Sequence, residues 1–326
     1  MRLPALALRM LRYRVALMLG LFFALGLAWH QGAAQLRWTY LPGLAALASS
    51  YICATCLNDV ADREIDAVNH AGHKGRPLVT GEATPGQLQL LAVAAAALAM
   101  ALGALMGPLA LLLILASLAV NVTYSLPPFK LSHRFAFAPV LLALAYVLIP
   151  FQLGAAAADG TGRPGELLFL AGLLLLFLAR ILLKDFRDRA GDARYSKPTL
   201  LLRHGKTATC AVSGIALLAG DVWICLGLRP DWPVAGVVQV FVAGIALLLL
   251  QLWRTGESEA EQAAIGLGAR LGNGLLLTIL AWLVMEASGS PPPVQLAFGV
   301  LLLAAYGGSV LALATNPGRV QIGYRG

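Results

Sequence analysis

Two short acidic strings carry the chemistry in this chain. The first is Asn58-Asp59-Val60-Ala61-Asp62-Arg63-Glu64-Ile65-Asp66, and the second is Lys184-Asp185-Phe186-Arg187-Asp188-Arg189-Ala190-Gly191-Asp192. Carboxylates at 59, 62 and 66 repeat in the second string at 185, 188 and 192, each set spaced by three residues and then four. At about 100° per residue that spacing stacks the acids on one face of a helix, with Asn58 beside the first set. Like charges so placed repel and raise one another's pKa, and a low-dielectric neighbourhood enlarges the cost. A divalent cation removes it. Oxygen ligands without His or Cys suit Mg²⁺, which takes one or two carboxylates and completes its shell from water and substrate phosphates, and they disfavour zinc. Two such faces set opposite each other can hold metal around a diphosphate and neutralise it as it departs. If the departing group leaves an allylic carbon, apolar walls keep water from the resulting cation. Each string alone also reads as a solvated helix end with i,i+4 pairs Asp59–Arg63 and Asp185–Arg189. Two strings of matched spacing at the ends of membrane helices favour the metal reading, because acids at a membrane edge are functional by default.

The elements that must position these strings are membrane helices. The chain has 326 residues, 59% apolar and only 12% charged, against about 25% charged in soluble domains. Apolar runs of bilayer-crossing length fall near 15–30, 41–57, 88–106, 108–124, 136–157, 165–183, 208–228, 232–252, 271–287 and 293–314. They are continuous rather than alternating, which argues against a transmembrane barrel. The fold class is therefore all-α, a polytopic transmembrane bundle forming a single membrane domain over 1–326. The net charge of +8 is concentrated in short connections. Lys and Arg gather in the N-terminal segment, in the connections after the second, fourth, sixth and eighth spans, and in the tail at Arg319 and Arg325. The positive-inside rule places those segments, both termini and both acidic strings in the cytoplasm, and this alternation needs all ten spans. It also accounts for the basic charge without nucleic acid. The two longest connections, 58–87 and 184–207, are the ones that carry the acids. Cys53, Cys56, Cys210 and Cys225 lie in or beside apolar runs and read as buried small residues. Four of the five histidines, His70, His73, His133 and His204, fall in cytoplasmic connections, where a solvated role is expected. Asp221 is an intramembrane acid whose partner the sequence does not name.

Asn58-Asp-Val-Ala-Asp62-Arg-Glu-Ile-Asp66 resembles the first Asp-rich motif of the UbiA superfamily of intramembrane prenyltransferases, and Lys74-Gly75-Arg76-Pro77-Leu78 with Gly81 resembles its continuation. Tyr124-Ser-Leu-Pro-Pro-Phe-Lys130 is similar to that family's loop after its fourth helix. Asp185-Phe-Arg-Asp188-Arg-Ala-Gly191-Asp192 is similar to its second Asp-rich motif. The resemblance covers the second to sixth spans. It implies a helical bundle around a central cavity open to lipid, usually of nine helices against the ten spans of this chain. It further implies Mg²⁺ as cofactor and a polyprenyl diphosphate donor. Carried over by position, it makes Asn58, Asp59, Asp62, Asp66, Asp185, Asp188 and Asp192 the metal set, with Asp59 and Asp185 in support. Asp62, Asp66, Asp188, Asp192 and Lys130 become the catalytic group, and Asn58, Arg76 and Tyr124 touch the diphosphate. Lys184 and Lys197 join them as diphosphate ligands, although basic residues are expected there for orientation alone.

The reaction expected is transfer of a prenyl group to an aromatic or other lipid-soluble acceptor within a bacterial inner membrane. A same-fold terpene cyclase and a polyprenyl-phosphate phosphoribosyltransferase remain open as alternatives. A cation-coupled transporter is the alternative of another class. Transporter sites lie near the membrane midplane, whereas these acids lie at helix ends. The acceptor classes are hydroxybenzoates, naphthoates, homogentisate-like phenols, tetrapyrroles and glycerol-phosphate lipids. Donor length and oligomeric state are not encoded in any motif.

Overall fold

The computed structural model describes residues 3–31, 37–71, 75–135, 137–158 and 160–314. His73, Lys74, Arg319 and Arg325 lie outside that set. Among the described residues there are helices and no strand, and ten helical segments are long and apolar enough to cross a bilayer. Each overlaps one of the spans read from the sequence.

A short helix α1 (Leu3–Met10) precedes the first crossing, α2 (Tyr13–Gln31). The second crossing, α3 (Leu41–Ala61), leads into α4 (Arg63–Asn69), and α5 (Pro85–Met106) and α6 (Pro108–Ser125) follow. Gly107 separates those two with φ +112, a conformation only glycine adopts without cost. The fifth crossing is α7 (Phe137–Ala143), a wide π-turn over Leu144–Leu148, and α8 (Ile149–Ala157). Pro150 explains the π-turn. It lacks an N–H, its ring crowds the preceding turn, and the widened backbone accommodates both. The sixth crossing, α9 (Glu166–Ile181), runs through a 3₁₀ turn into α10 (Asp185–Arg194). The last four crossings are α11 (Leu200–Leu228), α12 (Trp232–Arg254), α13 (Ser258–Ala287) and α14 (Pro292–Ala314).

Lipid tails are as apolar as leucine, so helices in a bilayer hold together by close packing rather than by burial from water. α2 and α8 approach through Gly26 and Gly154. A Cβ on Gly26 would lie 1.9 Å from the Phe151 carbonyl oxygen, and one on Gly154 would lie 2.0 Å from that of Phe23. α3 packs chiefly on α5, and α9 on α11. At the end away from the acidic strings, Trp29 stacks on Phe169 with ring centroids 4.5 Å apart, and Phe151 meets Phe169 edge-on. His30 and Gln152 bond Glu166 beside them. This plug closes one end of the bundle. Leu105, Leu112, Val240 and Leu301 point outward, as a lipid-facing surface requires. Trp38 and Trp232, both highly exposed, sit at the starts of α3 and α12 on the plugged side, where an aromatic interface belt belongs.

Asp221, left without a partner in the sequence, is buried and accepts from Gln239 Nε2, at 3.0 Å to each oxygen, and from Cys225 Sγ at 3.8 Å. All four cysteines are free, and three of them are buried.

Candidate active site

The first acidic string straddles a break. α3 ends at Ala61, and Asp62 has φ −106 and ψ 20, off the helical values, before α4 begins. The i→i−4 bonds from Asp62 to Asn58 and from Asp66 to Asp62 persist, both 2.8 Å, so the acids stay on one side of the chain. The second string is the α10 helix, entered through Lys184.

The two strings meet. Gly191 of α10 lies against α4, and its N–H donates to Asn69 Oδ1 at 2.6 Å. A Cβ on Gly191 would stand 2.7 Å from Asn69 Cγ and 2.7 Å from the Ile65 carbonyl, so this contact needs glycine. Lys197 Nζ lies 3.1 Å from Asp62 Oδ2 and 3.8 Å from Asp192 Oδ1, bridging the strings. His70 Nε2 does the same at 3.8 Å from Asp66 Oδ1 and 3.6 Å from Asp188 Oδ1. The bridged acids open onto a cavity of about 770 Å³ that runs down among the membrane helices.

That cavity is lined by Asn58, Asp62, Asp66, Arg76, Tyr124, Lys184, Asp188, Asp192 and Lys197 of the residues expected from the sequence. Lys184 Nζ donates to Tyr124 Oη at 3.4 Å, joining the loop after α6 to the second string. Three expected residues are placed otherwise. Asp59 does not line the cavity; Arg12 Nη2 donates to both of its oxygens, at 2.5 Å and 2.7 Å, and Arg76 Nη1 donates to Oδ1 as well. Asp59 thus clamps two guanidiniums, which engage both of its oxygens. Asp185 is buried at the start of α10 and does not line the cavity. Lys130 also stands outside the lining, its Nζ 3.9 Å from Asp62 Oδ1. The pairs Asp59–Arg63 and Asp185–Arg189 give way to other partners: Asp59 joins Arg12 and Arg76, and Arg189 joins Glu261.

Other wall residues lie outside the three motifs. Arg12 comes from the turn before α2, Arg14 from the first turn of α2, and Asn69 from the end of α4. Arg180, five residues before Asp185, donates to Asn273 of α13 at 2.8 Å. Asn121 lines the cavity and also binds α3, donating to the Ser50 carbonyl at 3.0 Å. Tyr146, presented by the π-turn, meets Tyr51 and Phe177 edge-on at 5.8 Å and 6.0 Å. His70 and His133 depart from the solvated role expected of them. His70 is buried, and His133 Nε2 lies 3.2 Å from Asp62 Oδ1. Their sequence setting in polar connections hid the fold-back of those connections over the acids.

Charge is balanced within the wall. Burial alone would raise Asp62, but hydrogen bonds from His133 and Lys197 outweigh it and hold this carboxyl well below the usual range. Burial would likewise lower Lys197, yet Asp62 holds it above the ordinary lysine value. Burial, with Arg76 beside it, lowers His70 to about 3, so its imidazole is neutral. Asp66 goes the other way: burial lifts it to about 7 despite Arg76, with Asp59 and Asp188 adding to the rise.

Among the described residues no three His, Cys, Asp or Glu side chains are gathered tightly enough to hold a metal by themselves. Mg²⁺ does not require such a cage, since one or two carboxylates, water and substrate phosphate suffice. The donor set fits that description. Asp66 Oδ2 and Asp192 Oδ1 are buried and make no hydrogen bond, although Arg76 and Lys197 lie 2.8 Å and 3.8 Å away. Asn58, Asp62 and Asp66 from one string and Asp188 and Asp192 from the other are thus the residues that would hold it. A metal held by Asp66 would displace the proton that burial keeps on this carboxyl near neutrality. Mg²⁺ affinity measured by calorimetry is therefore expected to rise between about pH 6 and pH 8, by up to about tenfold per unit below the carboxyl's titration. A pH-independent affinity would contradict this placement of Asp66.

The Asp59 clamp makes a separate prediction. Asp59→Asn leaves the Arg12 guanidinium beside a neutral amide, while Arg76 keeps Asp66 at 2.8 Å, and breaking a buried pair costs about 3–5 kcal/mol. The thermal unfolding temperature should fall markedly, and an unchanged value would show that the clamp contributes nothing.

Comparison with known proteins bears on the family and on the fold. The profile of the UbiA prenyltransferase family matches residues 17–273. The 33 kDa chain of bacteriochlorophyll synthase from Cereibacter sphaeroides is 30% identical over 216 residues, spanning 64% of this chain and 67% of that one. Its counterpart from Rhodobacter capsulatus is 29% identical over 181 residues, spanning 52% and 58%. Among solved structures, a digeranylgeranylglyceryl phosphate synthase superposes with a TM-score of 0.65 at 14% identity, covering 87% of this chain and 99% of that one. A UbiA homologue from Archaeoglobus fulgidus bound to DMAPP and Mg²⁺ gives a TM-score of 0.60 at 18% identity, covering 94% and 99%. At such identities the structural likeness shows the fold.

Proposed function

This chain belongs to the UbiA prenyltransferase family and is a membrane prenyltransferase, and from that premise we propose that it transfers a polyprenyl group, with Mg²⁺, from its diphosphate to a lipid-soluble acceptor. The observation that carries the proposal is the convergence of the two acidic strings on one cavity through the Gly191–Asn69 contact and the Lys197 bridge.

Mg²⁺ held by the two strings would supply the positive charge that a departing diphosphate needs. Arg76, Lys184 and Lys197 stand around the same opening, where they can bind diphosphate oxygens not engaged by metal. Tyr124 orients Lys184 through their hydrogen bond. Below them the wall turns apolar and aromatic, with Tyr51, Tyr146 and Phe177 facing the cavity. These rings present negative π-faces to an allylic cation and exclude water from it. The distribution of Lys and Arg supports a bacterial inner-membrane orientation with both termini and the acid-bearing connections in the cytoplasm. Among acceptor classes, tetrapyrroles are the first to test, because both sequence relatives are named bacteriochlorophyll synthases.

Purified protein in lipid nanodiscs, given geranylgeranyl diphosphate and a lipid-soluble acceptor, is expected to release pyrophosphate with Mg²⁺ and to stop on addition of EDTA. With an acceptor of the right class, a prenylated product should accompany that release. Cyclised hydrocarbon formed without acceptor would instead favour the cyclase, and metal-independent release would overturn the proposal.

A further inference from the structure

We propose that Glu261, which lies in neither acidic string, is the positioning residue that fixes the second string for metal binding. The inference rests on the metal–diphosphate reading above. Glu261 sits in the first turn of α13 and is buried, only 5% exposed. Its two oxygens take cations from two different helices. Lys206 Nζ of α11 lies 2.6 Å from Oε1, and Arg189 Nη2 of α10 lies 3.3 Å from Oε2. Lys206 also donates to the Thr255 carbonyl at the end of α12. One carboxylate thereby ties α10, α11 and α13 together, with the close of α12 attached.

The tie acts on the helix that matters. The Arg189 guanidinium lies 5.3 Å over the Phe186 ring, and Phe186 is buried against Leu201 and Ile265. This flank of α10 is seated on α11 and α13, while Gly191 seats the other flank on α4. Asp188 and Asp192 project into the cavity between the two seats. Releasing Arg189 removes the charged anchor of one seat and leaves the other, so α10 keeps its place in the fold but loses a fixed rotation and depth. Metal sites are sensitive to that freedom: removing outer partners of metal ligands typically costs about 10–100-fold in affinity. α13 itself continues from Glu261 to Ile265, Ala269 and Asn273, which line the same cavity.

The test uses full-length protein in nanodiscs, with Glu261→Gln, Glu261→Asp and Arg189→Gln. Mn²⁺ binding in the presence of pyrophosphate is read by electron paramagnetic resonance of the free ion, and Mg²⁺ dependence, donor KM and kcat are measured alongside. Glu261→Gln and Arg189→Gln are expected to weaken Mn²⁺ binding by about tenfold. They should raise the Mg²⁺ needed for half-maximal rate by a similar factor and change kcat at saturating Mg²⁺ by less than about twofold. Glu261→Asp should recover part of the affinity. If Glu261→Gln does not fold, Arg189→Gln decides, since Arg189 has 46% of its side chain exposed and its loss leaves Lys206 on the carboxylate. Wild-type Mn²⁺ affinity in the folded variants, or a fall in kcat without a shift in affinity, would overturn the inference. A wild-type protein that binds no Mn²⁺ with pyrophosphate would overturn the metal reading beneath it, a distinguishable failure.

Discussion

Asp188→Ala will reduce Mg²⁺-dependent pyrophosphate release by about 10³-fold, and Asp62→Ala will do so to a similar extent. Removing one fixed group that stabilises charge on a departing atom costs about 10²–10³ in rate, and a lost metal ligand belongs at the upper end. The two acids lie 126 positions apart in the chain, yet their side chains line one cavity. Each also has a cationic partner in the wall and an imidazole beside it: Asp62 faces Lys197 at 3.1 Å with His133 at 3.2 Å, and Asp188 faces Arg187 at 2.7 Å with the neutral His70 at 3.6 Å. Alanine would therefore remove a proposed ligand and leave excess positive charge where the metal would bind. The bundle should survive, because its packing rests on α3–α5, α9–α11 and α2–α8 contacts elsewhere. The check is pyrophosphate release at saturating donor, with thermal unfolding measured in parallel. Wild-type turnover in either variant would remove that acid from the mechanism. A double variant no worse than either single one is expected if the two strings work as a unit, since effects within a unit do not add.

Gly191→Leu should cost about 10²-fold in rate without touching a single charged group. At this position a Cβ already falls 2.7 Å from Asn69 and from the Ile65 carbonyl. Backbone cannot yield cheaply there, so the larger side chain must push α4 and α10 apart. A misplacement of about 1 Å in a reacting constellation commonly costs 10²-fold. Gly191→Ala should give a smaller loss in the same direction. The expected signature is a raised Mg²⁺ requirement and donor KM together, because the separation affects binding by both strings at once. Full activity with leucine at 191 would mean that catalysis does not depend on the distance between the strings.

Much of the bundle was legible because bilayer-length apolar runs and loop charge are coarse signals that survive any local irregularity. The ten spans and the tight Gly107 connection follow from them directly. The acids themselves were legible from spacing. Their individual orientations were not, since a period of three and four residues puts Asp59 on the same face as Asp62 only if the helix runs straight through both. The break at Asp62 and the pull of Arg12 and Arg76 send Asp59 elsewhere. Arg12 lies in another helix-to-helix turn 47 residues away from Asp59, and no local pattern announces a partner at that separation. His70 and His133 looked solvated because polar connections usually are; in this fold the connections turn back over the acids and bury or enclose them. Arg180 and Asn273 meet only once α9 and α13 pack, and the apolar runs that contain them conceal both.

Whether the two strings share one diphosphate can be seen in a crystal structure of the protein soaked with Mn²⁺ and a non-hydrolysable prenyl diphosphate analogue, with the metals located by anomalous scattering. The predicted result is manganese bound by Asp62 or Asp66 on one side and by Asp188 or Asp192 on the other, with one diphosphate bridging them. Manganese confined to a single string, or a diphosphate bound away from both, would contradict it.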